Sequence, residues 1–561
     1  MLATFSFIAA MFIAMVLIPP LMRSARRLSI VDIPDARKVH TGAVPRIGGV
    51  AMVAGAVTPV LIFQTHPPMV IAYLIGIGII LVFGVWDDRS GLDYRLKFLG
   101  QFLAVCVVVF YGDVHIRYVP FHSLDSIPYG VSVPLTIFAL LGITNAINLS
   151  DGLDGLAGGT TFISIAALAL LAYMAGDQQL VALACAVLGS IVGFLRYNTH
   201  PAQVFMGDAG SQFLGFSAGV LVIVLTQQTN PALSPAMPLL LLGLPIIDTF
   251  LVMGQRIYEG HSPFKPDRNH THHKLLALGF DHYEAVLVIY LVQSFLVMSA
   301  YFFRYASDAV NLLIFAAVAI GVIAGFRLAN HYGWRVHRYS IDEQSTPLAV
   351  LIARLRQSGA LRRWPLRFIG FTVPVYLVYA MLSAGAIAGD AAVTLAVLAG
   401  GSIFAALIQP KAGITLPERL LVCVTIVASV YYWVVSTHEP LAQHRLENLY
   451  FVLLTLALVA AYRFRQPRAF DVTPMDFLVV FAAIVVPNLL GGNAIENHLG
   501  EVAAKSVILY YASEILISCG ERRPKLVRGV VVLVLAIFAA KYGWMQAGAA
   551  ALEGTASAAP L

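Results

Sequence analysis

The stretch Asn145-Ala-Ile-Asn148-Leu-Ser-Asp151-Gly-Leu-Asp154-Gly-Leu-Ala-Gly-Gly159 lies between two apolar runs, and the interpretation of the whole chain starts from it. Asparagine and aspartate recur every three residues, so a helical start would place these side chains on one face. Dense polar groups between membrane-type segments are costly and indicate function. Glycines allow close approach of backbone to a ligand. The stretch predicts a site for a metal ion and a phosphorylated ligand; the alternative is a polar turn between membrane helices.

The composition of the chain excludes a soluble globular protein. Of the 561 residues, 59% are hydrophobic and only 12% are charged, whereas about a quarter are charged in soluble domains. Apolar runs of about 20 residues recur throughout, each long enough to span a bilayer as a helix. We therefore predict an all-α, polytopic transmembrane helix bundle, with about eleven spans before residue 330 and about seven after it. The net charge of +6 is modest and gives no sign of nucleic-acid binding.

The connections between the predicted spans alternate between basic loops and short loops with few basic residues. Under the positive-inside rule, the basic loops are cytoplasmic and the N-terminus is outside. Every polar cluster before residue 330, including the central stretch, then falls on the cytoplasmic side. We expect these loops to converge on one active site at the ends of the helix bundle.

The chain changes character after residue 334. Residues 335–367 form an Arg-rich segment, predicted to be a basic cytoplasmic linker along an anionic leaflet. Residues 368–561 are predicted to be a second transmembrane domain of unknown role, which leaves 1–334 as the domain with the site. Four residues of one outer loop of the second domain have no recognisable metal-ligand spacing, and we expect them to be solvated: His438, Glu439, His444 and Glu447.

The first cytoplasmic loop combines cations with turn-forming residues. Lys38, His40 and Arg46 are candidates to bind phosphate groups, and the Gly48-Gly49 pair permits close approach of backbone to a ligand. The alternative is ordinary positive-inside charge.

Asp87 and Asp88 are adjacent carboxylates at the cytoplasmic end of a predicted span. Neighbours on a helix point about 100° apart, so both are not expected to bind the same ion. One can serve the metal or act as a base, while the other holds a nearby cation. The alternative is a pair of solvated acids at a helix end.

A third cluster follows the run that ends near residue 196. Asp208 lies between glycines just before a predicted helix and is a good ligand for a hard metal ion. Phe205 could stack on a base whose edge Asn198 reads, although Phe205 considered alone is better explained by packing.

The segment Pro263-Phe-Lys-Pro-Asp-Arg268-Asn-His270-Thr-His272-His273-Lys274 is the most concentrated set of potential ligands. A zinc site is one interpretation, but two of the three histidines are adjacent and no cysteine or acidic partner has zinc-site spacing. Arg268 and the imidazoles suit a multiply charged anion such as a pyrophosphate better.

These blocks, in this order, resemble the polyprenyl-phosphate N-acetylhexosamine-1-phosphate transferases, the family of the WecA-type enzymes and MraY. The resemblance covers about residues 1–330, and its form is closer to the WecA side. It includes the following segments: Pro45-Arg-Ile-Gly-Gly49, Asp87-Asp88, Asn145 to Gly155, Asn198, Phe205-Met-Gly-Asp208 and Pro266-Asp-Arg-Asn-His-Thr-His-His273. MraY-type sequences place a lysine shortly after the Asp-Asp pair; here Arg89, Arg95 or Lys97 must replace it.

The resemblance implies transfer of an N-acetylhexosamine-1-phosphate, with GlcNAc-1-phosphate expected, from a UDP-sugar to undecaprenyl phosphate with release of UMP. This would be the first membrane step of O-antigen, exopolysaccharide or related envelope glycan synthesis. The implied cofactor is Mg²⁺ or Mn²⁺, and the implied location is the bacterial inner membrane, with the active site on its cytoplasmic face. A homodimer is compatible with this assignment.

The resemblance also implies roles for individual residues. Asp208 corresponds to the main metal ligand, with Asn148 or Asp151 beside it. Asp87 corresponds to the residue that activates the lipid phosphate, Asp88 supports it, and Asp151 is counted with them as catalytic. The remaining correspondences are substrate contacts: Asp154, Asn198 and Phe205 to uridine, and Arg268, His270, His272 and His273 to the diphosphate.

Two alternatives remain at the level of sequence. One is the phospho-MurNAc-pentapeptide transferase of the same family. The other is a polytopic transporter, which would require ionisable residues in the middle of spans rather than at their ends. A non-catalytic scaffold leaves the ordered blocks unexplained.

Overall fold

The computed structural model describes residues 2–27, 30–32, 43–122, 126–260, 270–336, 360–383, 416–436, 441–463, 499–518, 527–538 and 540–541. Lys38, His40 and Arg268, all predicted to bind substrate, lie outside the described residues, as does most of the predicted linker. The described residues belong to two compact units, the first up to Val336 and the second from Ala360 onward.

The first unit contains thirteen helices among its described residues, which are listed here in chain order: α1 Leu2–Arg27, α2 Gly48–Phe63, α3 Pro68–Ser90, α4 Tyr94–Phe110, α5 Tyr129–Leu149, α6 Leu156–Met174, α7 Gln178–Asn198, α8 Gly207–Val224, α9 Pro238–Leu241, α10 Gly243–Tyr258, α11 Thr271–Ala277, α12 His282–Phe302 and α13 Asp308–His331. A short π-helical turn, Leu225–Thr229, continues α8. Strands β1 (Val31–Asp32) and β2 (Val44–Pro45) form a small antiparallel ladder.

The predicted all-α, polytopic membrane class is confirmed. Nine helices of the described residues are long and apolar enough to cross a bilayer. The predicted span 236–255 is interrupted, because α9 ends at Leu241 and α10 begins at Gly243. Pro245, in the first turn of α10, has no N–H to continue a helix from α9.

Helices α6 and α8 form the centre of the first unit. Almost every residue of both helices is buried, and both are apolar on all sides, as expected for helices surrounded by other helices. The backbones of α2 and α8 approach so closely that a Cβ at Gly49 would overlap the backbone of Gly210. The Gly48-Gly49 pair therefore serves packing against protein, and not the approach of a ligand expected from the sequence.

The second unit contains five described helices: α14 Ala360–Ser383, α15 Leu416–Ser436, α16 Leu441–Arg463, α17 Leu499–Ser518 and α18 Val527–Phe538. Glu447 was expected in a solvated loop, but it lies in α16 and is largely buried. Its carboxylate accepts hydrogen bonds from the Tyr376 hydroxyl at 2.8 Å and the Trp433 indole at 3.1 Å, and it pairs with Lys505 at 2.8 Å. This cluster joins four helices of the second unit, and no periodic pattern in the sequence predicts it.

Candidate active site

A cavity of about 770 Å³ opens where the α5–α6 connection, the end of α7 and the start of α8 meet. Nine of the residues predicted to form the site contribute to its lining: Arg46, Asp88, Asn148, Asp151, Asp154, Asn198, Phe205, Asp208 and His273. The sequence segments that supply them are separated by up to about 230 residues, so the fold brings the separate motifs to one place, as expected from the loop topology.

Asp88 holds the start of α8. Its two carboxylate oxygens accept the backbone N–H groups of Asp208 at 2.8 Å and Ala209 at 3.2 Å. These are free donors of the first helical turn, which an acidic group stabilises. Gly207 precedes them with a positive φ of 67°, and a Cβ there would overlap the Asp88 carboxylate. Asp88 therefore fixes the position of Asp208.

Asp208 is held by two further side chains. The Asn148 amide donates to its Oδ1 at 2.7 Å and to the Ser211 hydroxyl at 2.9 Å. The Lys97 ammonium lies 3.4 Å from its Oδ2. Asn148 and Asp208 thus lie in direct contact across the α5–α8 interface, in agreement with their predicted proximity.

Lys97 also forms an ion pair with Asp87, whose other oxygen accepts the Leu92 backbone N–H at 2.6 Å. Of the three basic residues that the sequence left open after the Asp-Asp pair, Lys97 therefore stands between Asp87 and Asp208. Arg89 is exposed, and Arg95 contacts Tyr94 at the surface. The adjacent carboxylates have different partners, as expected from their directions on the helix: Asp88 accepts the N–H groups at the start of α8, whereas Asp87 pairs with Lys97 and accepts the Leu92 N–H.

Asp151 lies in the loop between α5 and α6 and reaches the same cavity. The Asp151 side chain is exposed to the cavity and has protein atoms around it. Desolvation there, followed by the negative charges of Asp208 and Asp88, raises the pKa of Asp151 to about 7. Carboxylate and amide oxygens from Asp208, Asp151 and Asn148 are the donor types that hard divalent cations prefer. A cation would also offset this concentration of negative charge, so the residues present fit such an ion.

The three residues predicted to contact uridine lie along one wall of the cavity. Asn198 is occupied by backbone: its oxygen accepts the Gly155 N–H at 2.9 Å and its amide donates to the Val204 carbonyl at 2.9 Å. Asp154 accepts from the His200 ring at 2.6 Å and the Ala202 N–H at 3.0 Å. Asn198 thus holds the loops of this wall together. Phe205 lies nearby, where its backbone pairs with that of Arg46, the residue after β2.

The three histidines at positions 270, 272 and 273 do not all face the cavity. His273 lines it, whereas His270 and His272 are buried beneath. Desolvation and the neighbouring His273 lower the pKa of His272, so this imidazole is neutral. Its ring lies against Gly152, where no Cβ would fit. His272 can therefore donate or accept a hydrogen bond, but it does not supply a positive charge to a phosphate.

Arg46 lines the cavity from the β2 side and forms an ion pair with Asp32. The backbone next to Arg46 is also held in place: the Phe205 N–H donates a hydrogen bond to the Pro45 carbonyl at 2.8 Å. Arg46 is thereby held over the start of α8, where a bound anion would meet it.

Four residues at or near the cavity were missed from the sequence: Asp32, His200, Asp248 and His282. Asp248 had a usable signal, an acid within an apolar run. Asp154, His200 and His282 bring ligand atoms within 4.8 Å of one another. The two imidazoles, however, are stacked with centroids 4.0 Å apart, so one ion cannot lie in both ring planes.

Comparison with known proteins finds one matching family model and several similar proteins. Residues 70–226 match the model of glycosyl transferase family 4. A probable undecaprenyl-phosphate N-acetylglucosaminyl 1-phosphate transferase of Bacillus subtilis (strain 168) is 37% identical over 313 residues, covering 55% of this chain and 87% of the relative.

Two relatives named undecaprenyl-phosphate alpha-N-acetylglucosaminyl 1-phosphate transferase show similar coverage. The protein of Yersinia pestis is 31% identical over 283 residues, 49% of this chain and 77% of the relative. The protein of Escherichia coli (strain K12) is 31% identical over 281 residues, 48% of this chain and 76% of the relative.

Proposed function

Since the chain belongs to glycosyl transferase family 4, we propose that it transfers N-acetylglucosamine-1-phosphate from UDP-GlcNAc to undecaprenyl phosphate and releases UMP. The reaction exchanges one phosphoanhydride bond for another, so its free-energy change is small. The main barrier is the repulsion between two anions. A site for this reaction must therefore hold both phosphates and neutralise them.

The observation that carries the proposal is the shared cavity of Asp88, Asn148, Asp151 and Asp208, which come from three separate segments of the chain. We propose Asp208, with Asp151 and Asn148, as the ligands of a divalent cation, Mg²⁺ or Mn²⁺. When bound, such an ion would offset the charge of the diphosphate and of the departing UMP.

The remaining site residues are proposed to bind the substrates and to activate the lipid phosphate. Asp87, beside Lys97, is proposed to activate the undecaprenyl phosphate, while Asp88 supports Asp208 through the backbone. Arg46, with Lys38, His40 and Arg268 of the same predicted set, is proposed to bind phosphate oxygens. His270, His272 and His273 are proposed to contact the sugar phosphate, with His272 acting as a neutral group. Asp154, Asn198 and Phe205 are proposed to form the uridine wall.

Residues 1–334 are proposed as the transferase domain, 335–367 as a basic cytoplasmic linker, and 368–561 as a second membrane domain. The alternation of basic loops supports an N-terminus outside the bacterial inner membrane and an active site on its cytoplasmic face. The site would then meet a soluble nucleotide sugar on one side and a lipid phosphate on the other. A first membrane step of O-antigen, exopolysaccharide or related envelope glycan synthesis fits this reaction.

The alternatives have less support. The relatives of Bacillus subtilis, Yersinia pestis and Escherichia coli are named N-acetylglucosaminyl 1-phosphate transferases, which disfavours a muramyl-pentapeptide donor. A transporter would not explain four acids and amides around one cavity at the helix ends.

The test is incubation of membranes with undecaprenyl phosphate and a panel of UDP-N-acetylhexosamines and UDP-MurNAc-pentapeptide, measuring UMP. We expect UMP release with UDP-GlcNAc, dependent on both the lipid and a divalent cation. Release with UDP-MurNAc-pentapeptide alone, or with no donor of the panel, would contradict the proposal.

A further inference from the structure

Asp248 is a buried carboxylate in the largely apolar N-terminal part of α10, and none of the proposed roles uses it. An ionisable group in such a helix is costly unless its oxygens are fully paired. It therefore needs a specific explanation.

Both oxygens of Asp248 contact the start of the histidine-rich helix α11. Oδ2 lies 2.8 Å from Nδ1 of His270, and Oδ1 accepts the Thr271 backbone N–H at 2.7 Å and the Thr271 hydroxyl at 2.6 Å. Helix α11 has no side-chain cap of its own at His270, so the carboxylate of another helix performs that function. Because a carboxylate only accepts hydrogen bonds, it also selects the tautomer of His270 with the proton on Nδ1.

Contacts between imidazole rings connect His270 to the cavity. The His270 and His272 rings are stacked with centroids 5.7 Å apart and planes 13° apart, and His272 and His273 lie 4.2 Å apart. His272 in turn lies against Gly152, next to Asp151. His273 reaches the cavity that Asp151 and Asp208 line. The chain of contacts thus runs from α10 to the acids of the proposed metal site.

We infer that Asp248 is a positioning residue for the transfer reaction: it fixes the histidine segment against the Asp151 loop through His270 and Thr271. This inference rests on the proposed function. Its specific consequence is a loss of turnover that exceeds the loss of donor binding, because the contacts of Asp248 are with His270 and Thr271 and not with the uridine wall of Asp154, Asn198 and Phe205.

The test is UMP release by the full-length chain carrying Asp248→Asn, which keeps the size of the side chain but presents an amide donor to His270. We expect kcat to fall about 10- to 100-fold, as for other residues that orient catalytic groups, and KM for UDP-GlcNAc to stay within about threefold. The double variant with His270→Ala should be no worse than the more damaging single variant, because both act through the same contact.

The matched control is Asp177→Asn. Asp177 also accepts a backbone N–H, that of Leu180 at 2.9 Å, and a threonine hydroxyl, that of Thr229 at 2.7 Å, but it lies away from the cavity. It should retain wild-type turnover.

Wild-type kcat in Asp248→Asn, or multiplied losses in the double variant, would overturn the inference. If Asp248→Asn does not fold, Thr271→Val tests it instead, since that variant removes only the hydroxyl contact. A severalfold loss of kcat is then expected, and wild-type kcat would again overturn it. Failure of the proposed function is distinguishable, because the unaltered chain would then release no UMP from UDP-GlcNAc.

Discussion

The carboxylate of Asp88 accepts the backbone N–H of Asp208 at 2.8 Å, across 120 residues of sequence. One acid thus holds the helix start that carries the other. The hydrogen bonds of Asp88 to the N–H groups of Asp208 and Ala209 explain why an acid is needed at the end of α3 even if it never touches a substrate. The role of Asp88 can therefore be tested separately from that of Asp87.

Asp88→Asn should weaken both stability and activity. An asparagine has one acceptor oxygen, so one of the N–H groups of Asp208 and Ala209 would face an amide donor. We expect a loss of about 1–2 kcal/mol in the free energy of unfolding and a fall in UMP release of about tenfold or more. Thermal unfolding in detergent and the UMP assay measure the two effects. Unchanged stability together with lost activity would instead place Asp88 in direct contact with the reactants.

Lys97→Met should abolish most UMP release, because the ammonium stands between Asp87 and Asp208 and reduces their mutual repulsion. The matched control is Arg95→Met, because the exposed Arg95 guanidinium contacts Tyr94 at the surface and not the two carboxylates. Initial rates at saturating UDP-GlcNAc compare the two variants. Equal rates for both would show that the cation next to the Asp-Asp pair has no part in the reaction.

Gly152→Ala should reduce activity by displacing His272, since a Cβ at residue 152 would overlap the imidazole. A displacement of about 1 Å in an active site can cost about 100-fold in rate. Gly142→Ala is the control: no atom lies within 4 Å of a Cβ added there. Full activity of Gly152→Ala, measured as UMP release per folded protein, would mean that the contact between the loop and the histidine is dispensable.

The pH dependence of the Mg²⁺ requirement should report the ionisation of Asp151. Its pKa of about 7 means that the carboxyl is mostly protonated at about pH 6 and mostly ionised at about pH 8 in the metal-free protein. A divalent cation binds the ionised form. The Mg²⁺ concentration for half-maximal UMP release should therefore fall as pH rises through this range, and Asp151→Asn should remove that dependence. A constant Mg²⁺ requirement in the unaltered chain would contradict the assigned role.

Truncation after about residue 340 should leave most of the UMP release, because the site residues described here all lie in the first compact unit. The truncated chain needs a test of folding, such as a monodisperse elution profile. A folded but inactive truncated chain would show that residues after 340 take part in the reaction, against the proposed domain division.

The sequence was sufficient for the class of fold and for the neighbourhood of the site. Apolar runs predict helices directly, and alternating loop charge predicts which loops meet. For this reason Asn148, Asp151, Asp154 and Asp208 could be assigned to one place before any coordinates.

The partners of individual side chains could not be obtained in the same way. Three contacts depend on how separate helices pack against each other. They are the hydrogen bonds of Asp88 to the start of α8, the ion pair of Lys97 with Asp87, and the hydrogen bonds between Asp248 and Thr271. The Gly48-Gly49 pair carried a true signal of close backbone approach. Local sequence could not tell whether a ligand or another helix makes that approach.

The most direct test of the central claim is mass spectrometry of the lipid product formed by the purified full-length chain from UDP-GlcNAc, undecaprenyl phosphate and Mg²⁺. The unaltered chain should form one N-acetylglucosaminyl diphosphate lipid for each UMP released, and Asp208→Asn should form at least about 100-fold less. The absence of that lipid with the unaltered chain, or its formation at the full rate by Asp208→Asn, would contradict the account.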